Sequence, residues 1–275
     1  MAVAALSREV CRLRTELARH RPPVDNPTLS AIRQVPAQTL ALAGLLPDPW
    51  QAELLSSQWD RALLLASRQS GKSQVSAAIA LRLAMLKSAA LILLLSPSLR
   101  QSGELFRDKL LTLYNALGRP LGAIRETALE LQLANNSRIV SLPGNEQTVR
   151  GFSSVDLLVI DEAAMVEDPL YFSIRPMLAI RHGRLLALTT PRGQRGWFFD
   201  AWKSSESWER IEVPATRCPR LSAEFLREER IALGPRWYAQ EYCCSFEADA
   251  SCLFDPAAVR AAFRSEVKPL FGSNA

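Results

Sequence analysis

The stretch Leu63–Ala78, LLLASRQSGKSQVSAA, contains the sequence features that decide the fold. It begins with an apolar run, continues as a short polar loop ending in Gly-Lys-Ser, and resumes with small residues that favour helix. A strand, a loop and a helix in this order are typical of a phosphate-binding loop. The consensus for that loop is G-x-x-x-x-G-K-[ST], and only its first glycine is replaced here, by Ala66.

The chemistry expected of this loop follows from its backbone. Successive N–H groups and the N-terminus of the following helix would face phosphate oxygens, and a side chain at Gly71 would obstruct that approach. We expect Lys72 to pair with the β- and γ-phosphates of ATP and Ser73 to offer its hydroxyl to Mg²⁺. The alternative interpretation is a chance Gly-Lys-Ser at a helix start. The predicted ATP-binding residues of the loop are Ser67, Arg68, Gln69, Ser70, Gly71, Lys72 and Ser73.

Four short apolar runs predict a mostly parallel sheet: Ala62–Ala66, Leu91–Leu95, Leu157–Ile160 and Leu185–Leu188. Each run is nearly continuous, as expected of strands that are buried on both faces. Between the second and third runs, alternating polar and apolar residues around positions 135–137 predict an inserted hairpin. We therefore predict a three-layer α/β/α fold of the P-loop NTPase class, RecA/ASCE-like, with its ligand at the carboxyl ends of the strands.

A second motif, SVDLLVIDEAAM, ends an apolar run with two adjacent acids. We expect Asp161 to hold Mg²⁺ and Glu162 to orient or deprotonate the attacking water. The alternative interpretation is a solvated turn after a strand. The functional hypothesis requires the ends of the Leu63 strand and the Leu157 strand to lie side by side, so that Lys72 and both carboxylates share one magnesium-bound triphosphate.

Composition limits the class of protein. The 275 residues include 33 basic and 28 acidic side chains, a net charge of +5 that fits a polyanionic partner without requiring one. Five cysteines form an odd set without metal-ligand spacing, which indicates a reducing, cytoplasmic setting. The N-terminus lacks an uninterrupted apolar segment, and the run AALILLL is too short to cross a bilayer, so we expect neither secretion nor membrane insertion.

Four segments in this order resemble the ATPase domain of large terminase subunits, the motors that package DNA into tailed-phage heads. They are ASRQSGKS (66–73), SPSLRQSGELF (96–106), TVRGFSSVDLLVIDEAAMV (148–166) and LALTTPRGQRGWFF (186–199). The resemblance runs from about Pro47 to Phe254. Phosphate loops that begin with a small residue and carry Arg-Gln are usual in that family, so Ala66 is no objection to ATP binding.

The resemblance implies further site residues. Gln51 would contact adenine, with Trp50 either assisting or anchoring the core. Arg68 would sense or stabilise the γ-phosphate within the same subunit, which makes it a catalytic candidate beside Lys72 and Glu162. Thr189 and Thr190 would couple hydrolysis to movement of the DNA grip. The cofactors implied are ATP and Mg²⁺, and the partners implied are double-stranded DNA, the portal protein, the small terminase subunit and further copies of the chain in a homo-oligomeric ring.

We divide the chain into an N-terminal helix and linker arm (1–46), a P-loop ATPase domain (47–254) and a C-terminal connector (255–275). Large terminases generally continue into a nuclease domain, and the connector resembles its start. The acids near this point, Glu247, Asp249 and Asp255, lie in a turn-rich segment without metal spacing. We therefore expect no nuclease activity in this chain.

Three functions remain open at this stage. The leading one is an ATP-hydrolysing motor that translocates double-stranded DNA into a viral procapsid. A helicase-like DNA-dependent ATPase is suggested by the letters DEAA, although such enzymes normally use two motor domains and this chain has room for one. A prophage remnant that has kept the fold without turnover would act as a binding or scaffold protein.

Five arginines are candidates for contacts with DNA or with ATP in a neighbouring subunit, because all fall near predicted strand ends. They are Arg150, Arg181, Arg184, Arg192 and Arg195.

Overall fold

The computed structural model describes residues 26–144, 149, 151–247 and 261–262. Its centre is one eight-stranded sheet, formed by β1 (Arg61–Ala66), β2 (Leu91–Ser96), β3 (Ala123–Glu126), β4 (Glu130–Leu133), β5 (Arg138–Pro143), β6 (Leu157–Asp161), β7 (Arg184–Thr189) and β8 (Glu209–Val213). The spatial order is β3-β4-β5-β2-β6-β7-β1-β8. In this spatial order, every neighbouring pair from β5 to β8 is parallel, whereas the pairs β3-β4 and β4-β5 are antiparallel.

Helices cover both faces of this sheet. They are α1 (Pro27–Gln34), α2 (Gln38–Ala41), α3 (Pro49–Ser56), α4 (Lys72–Leu86), α5 (Leu99–Gly103), α6 (Thr112–Ala116), α7 (Asp168–Ile174), α8 (Trp197–Lys203) and α9 (Ala223–Tyr242), with a π-helical segment (Glu104–Leu111) between α5 and α6. α9 contains Gly234 in a non-helical conformation, followed by Pro235. Within the described residues, no helix is long and apolar enough to cross a membrane.

Two apolar clusters fill the space between the layers. Alternate residues of β1 point to opposite faces, so Leu64 joins the cluster beneath α4 whereas Leu63 and Leu65 join the cluster beneath α7 and α8. This two-sided burial explains why the central strands are continuously apolar. The predicted three-layer, mostly parallel α/β fold is thereby confirmed.

The predicted hairpin is also confirmed, since β4 and β5 pair antiparallel across the turn at Asn136. β5 then pairs with β2 in parallel, which fastens the hairpin to the main sheet. Two further strands, β3 and β8, were not predicted. Both are short edge strands rich in charged residues, a composition that protects an edge from pairing with another chain but hides it from a search for apolar runs.

The expected adjacency of the Leu63 and Leu157 strands is wrong. β7 lies between β1 and β6 and pairs in parallel with both of them. The two motifs are therefore separated by one strand, and the carboxyl end of β7, at Thr189, lies between them. Separation by one strand still leaves the side chains of the two motifs in contact.

The segment before α3 packs on the ATPase body. Ile32 in α1 and Leu40 in α2 are buried in the same cluster as α4, and Arg82 of α4 donates a hydrogen bond to the Ile32 carbonyl at 2.9 Å. The arm thus contains two short helices, α1 and α2. Residues 1–25 of the predicted N-terminal helix and arm, and nearly all of the predicted connector, lie outside the described residues, and the domain boundaries stay predictions.

Replacing Ile32 with alanine tests whether α1 is part of the cooperative unit. Because Ile32 is buried against α4, we expect the free energy of unfolding in urea to fall by about 2–5 kcal/mol. Leu46→Ala is the control, since Leu46 is 89% exposed and its loss should change stability by less than about 0.5 kcal/mol. Identical unfolding curves for the two variants would show that α1 packs independently.

Candidate active site

The phosphate loop connects β1 to α4 and is shaped by one glycine. Gly71 is the N-cap of α4 with φ of 88°, and a Cβ there would lie 2.8 Å from Gln51 Nε2 and 2.9 Å from an Arg220 Nη atom. The left-handed backbone conformation therefore favours glycine, and a Cβ would also push against the ends of the Gln51 and Arg220 side chains. Ala66 is the last residue of β1 and pairs with Val213, so it keeps an extended backbone and a glycine is unnecessary there.

Lys72 lies between the two motifs. Its Nζ is 3.1 Å from Glu162 Oε1 and 3.2 Å from Thr190 Oγ1. Its side chain is largely buried, and a buried ammonium is stabilised by a carboxylate partner. Thr189 closes the cluster from the end of β7, with its hydroxyl 3.4 Å from Glu162 Oε2 and 2.8 Å from the Thr190 carbonyl. The carboxyl ends of β1, β6 and β7 thus bring the Lys72 ammonium, the Glu162 carboxylate and the two threonine hydroxyls into one contacting cluster.

Asp161 forms the second contact between the motifs. The Ser73 hydroxyl donates to Asp161 Oδ2 at 3.0 Å. Burial and the neighbouring charge of Glu162 raise the pKa of Asp161 to about 6, against the opposing influence of Lys72 and the Ser73 hydrogen bond. A desolvated carboxylate beside a second carboxylate is an arrangement that favours an additional cation.

The residues fit a magnesium ion of the kind that accompanies nucleotides. Such an ion needs only one or two protein ligands, because phosphates and water supply the rest of its octahedral shell. Ser73 and Asp161 offer two oxygens next to the phosphate loop. In the described part of the chain, no group of three or more His, Cys, Asp or Glu side chains that could hold a metal ion is present.

Arg68 is bonded to the end of α9. Its guanidinium pairs with Glu241 at 3.5 Å, and its backbone N–H donates to the Glu241 carbonyl at 2.8 Å. The Ser70 hydroxyl, further along the loop, is buried without a hydrogen-bond partner in the described structure. Ser67 is buried beneath the loop, where its N–H donates to the Val213 carbonyl, and it does not line the cavity described below.

Gln51 lies behind the phosphate loop. It is 2% exposed, its Oε1 accepts from the Asp48 N–H at 2.9 Å, and its Nε2 donates to the Gly71 carbonyl at 3.3 Å. These bonds cap α3 and tie its N-terminus to the loop. Trp50 is buried in the core. Gln51 therefore holds the loop in this structure, and its contact with adenine stays a prediction.

Arg220 is a site residue that the sequence did not reveal. One Nη atom donates to the Ser70 carbonyl at 2.6 Å and to Asp48 Oδ2 at 2.8 Å, which joins the loop to the N-cap of α3. The two partners are 150 and 172 positions away in the sequence, so no local pattern marks the contact. With Gln51, Arg220 fixes the two carbonyls that precede α4.

The phosphate loop from Arg68 to Ser73, together with Glu162, the two threonines and Arg220, lines an open cavity of about 1020 Å³. Its lining contains seven cationic side chains against three acidic ones, a balance that suits a polyanion. The cations are Arg68, Lys72, Lys109, Arg192, Arg195, Arg220 and Arg236, and the acids are Glu162, Glu241 and Glu247.

The other arginine candidates divide between the two edges of the sheet. Arg192 and Arg195 line the cavity at the carboxyl edge. Arg181 binds the buried Asp156 at 2.8 Å, and Arg184, the first residue of β7, lies 3.7 Å from the centre of the Trp59 ring. Both of these therefore stabilise the amino edge, opposite the phosphate loop. Arg150 is outside the described residues.

Comparisons with known proteins agree with this geometry. The family model described as terminase large subunit, T4likevirus-type, N-terminal, matches residues 63–258. The ATPase domain of the Thermus phage P74-26 large terminase superposes with a TM-score of 0.66 at 18% identity, covering 76% of this chain and 97% of that one. A search of curated proteins found no match.

Two longer structures show the same fold. The large terminase of a thermophilic bacteriophage, solved in complex with ADP, has a TM-score of 0.62 at 14% identity, covering 73% of this chain and 54% of that one. The HK97 bacteriophage large terminase has a TM-score of 0.53 at 20% identity, covering 68% of this chain and 43% of that one. The present chain thus spans about half the length of these proteins.

Replacing Gln51 with alanine separates its two interpretations. If Gln51 holds the loop, its loss should weaken binding of ATP and of inorganic tripolyphosphate alike, by about 5- to 20-fold, because both ligands use the loop N–H groups. Isothermal titration with each ligand and Mg²⁺ measures this. Gln38→Ala, in α2, is the control. A loss for ATP alone, with tripolyphosphate unaffected, would support the adenine contact instead.

Proposed function

This chain belongs to the large terminase subunits, matching their N-terminal domain, and from this premise we propose that it hydrolyses ATP to drive double-stranded DNA into a viral procapsid. The observation that carries the proposal is the convergence of four groups: Lys72, Ser73 and Glu162 line one cationic cavity, and Asp161 accepts a hydrogen bond from Ser73. Because all four groups are present, we favour ATP hydrolysis over the hypothesis of a scaffold protein that has lost this activity. Family membership favours packaging over helicase activity.

Substrate binding begins with an exchange of partners at Lys72. In this structure its ammonium pairs with Glu162, at 3.1 Å. A triphosphate brings a stronger anion to the same ammonium, and the loop N–H groups and the α4 N-terminus add to its attraction. Lys72 then turns towards the β- and γ-phosphates, and Glu162 is released to accept a proton. The same side chain thus links substrate binding to activation of the base.

The chemical step is the transfer of the γ-phosphoryl group to water. Glu162 accepts a proton from the water, the water oxygen bonds to the γ-phosphorus, and the bond to the β–γ bridging oxygen breaks to leave ADP and phosphate. When bound between Ser73 and Asp161, Mg²⁺ would supply charge stabilisation to the phosphate oxygens. Arg68 contributes at the γ-phosphate only after it leaves Glu241.

Thr189 and Thr190 are proposed to report the reaction to the rest of the domain. Thr189 contacts Glu162 and its hydroxyl also lies 3.4 Å from the Ala164 N–H, whereas Thr190 contacts Lys72. A change at either charged group therefore alters a contact at the end of β7. The segment that follows β7 carries two arginines that line the cavity and are placed to respond.

The partners and the setting are proposed from the family. They comprise double-stranded DNA, the portal protein, the small terminase subunit, and further copies of this chain in a ring within the host cytoplasm. Contact with DNA phosphates would be independent of sequence and would weaken steeply as salt rises. Packaging of DNA into procapsids by a complete motor that carries this chain tests the translocation step itself.

Replacing Glu162 with glutamine tests the proposed base. Glutamine keeps the size of the side chain but accepts no proton, so phosphate release should fall by about 10²–10⁴-fold while ATP still binds. Phosphate-release kinetics and isothermal titration measure the two effects separately. Glu167→Gln, an exposed acid five residues further along, is the matched control and should hydrolyse ATP at the wild-type rate. Wild-type turnover in the Glu162 variant would remove it from this role.

A further inference from the structure

The cavity has two chemically different ends. Lys72, Glu162 and the two threonines lie on the side of β1 that faces β7 and β6. β8 lies on the opposite side of β1, and the chain after β8 leads into α9. The wall that α9 contributes includes Trp237 and Glu241, and Glu241 pairs with Arg68 whereas Glu162 pairs with Lys72. If the γ-group of a triphosphate lies at Lys72 and Glu162, this second end of the cavity is available to the nucleoside.

An exposed aromatic ring lines that wall. Trp237 of α9 is 58% exposed and lines the same cavity as the phosphate loop, and among the described residues it stacks on no other ring. Leu45, 41% exposed, lines the cavity from the chain just before α3. Exposed side chains of this size within a polar cavity are ready for an apolar or aromatic ligand.

The segment that carries Leu45 is tied to the phosphate loop. Asp48, three residues further along, is bonded to Gln51 and to Arg220, and those two residues hold the carbonyls of Gly71 and Ser70. Leu45 is thereby kept beside the loop. Gln51 itself does not reach the cavity surface, so the polar group expected for base recognition is engaged elsewhere.

We propose that Trp237 and Leu45 form the base subsite of the nucleotide cavity, with the indole stacking on the base and the leucine covering it. The inference rests on the proposed ATPase function and names the residues that recognise the nucleoside. Aromatic stacking accepts the flat face of a base without reading its hydrogen-bond pattern. Affinity for the nucleoside therefore depends on α9, and affinity for the phosphates depends on the loop.

Ligands with and without a base provide the test. Binding of adenosine 5′-(β,γ-imido)triphosphate and of inorganic tripolyphosphate, each with Mg²⁺, is measured by isothermal titration. Trp237→Ala should weaken binding of the nucleotide by about 5- to 100-fold and change tripolyphosphate binding less than about twofold. Trp237→Phe, which keeps a stacking ring, should recover most of the loss. Ile231→Ala is the matched control, because Ile231 is 85% exposed on the same helix and does not line the cavity.

Each other outcome has a definite meaning. Unchanged nucleotide binding by the Trp237→Ala variant overturns the base subsite and leaves the proposed ATPase standing. Equal weakening of both ligands, or the same loss in the Ile231→Ala variant, also overturns it, since the effect would then come from α9 as a whole. If the wild-type chain binds neither ligand, the proposed function fails, and the subsite with it.

Discussion

Two adjacent carboxylates at the end of a buried strand are the constraint on which this structure depends. Asp161 is desolvated and next to Glu162, so the pair is unfavourable unless cations and hydroxyls approach from other strands. Lys72 and Ser73 meet this need from α4, and the threonines meet it from β7. The sheet must therefore bring the carboxyl ends of β1, β7 and β6 together at the same edge. The arrangement that relieves charge repulsion is the same one that we propose positions a phosphate, a metal and a water.

The sequence predicted the strands that a local pattern of apolar residues encodes. Continuous apolar runs revealed β1, β2, β6 and β7, because burial on both faces leaves no room for polar residues. Strand order was not encoded in this way, since any of several parallel orders satisfies the same burial. The placement of β7 between the motifs is a long-range result of how the crossover connections pack on the sheet. The charged edge strands β3 and β8 lacked the apolar signal for the same physical reason that lets them stay at an edge.

The candidate site was also predictable only where its residues belong to local motifs. Lys72, Ser73, Asp161 and Glu162 belong to two local motifs, and the structure brings all four together. Their detailed roles remain proposals. Arg220 could not be predicted, because its contacts with the loop and with α3 arise only when the chain after β8 returns to the loop. Gln51 shows the converse, since a residue identified by its motif is buried and bonded to backbone groups.

The C-terminal part of α9 connects the proposed base subsite to the phosphate loop. The end of this helix is bonded to the loop through Arg68 and Glu241, and just beyond it Cys244 contacts the Leu65 carbonyl. A nucleotide held by Trp237 at its base and by Arg68 at its phosphates would bridge the same helix and loop. In the proposed mechanism, transfer of Arg68 to the γ-phosphate would remove its ion pair with Glu241, while the base would remain stacked on Trp237. Hydrolysis would remove the γ-phosphate and return Arg68 to Glu241, so α9 would be attached to the loop differently before and after the reaction.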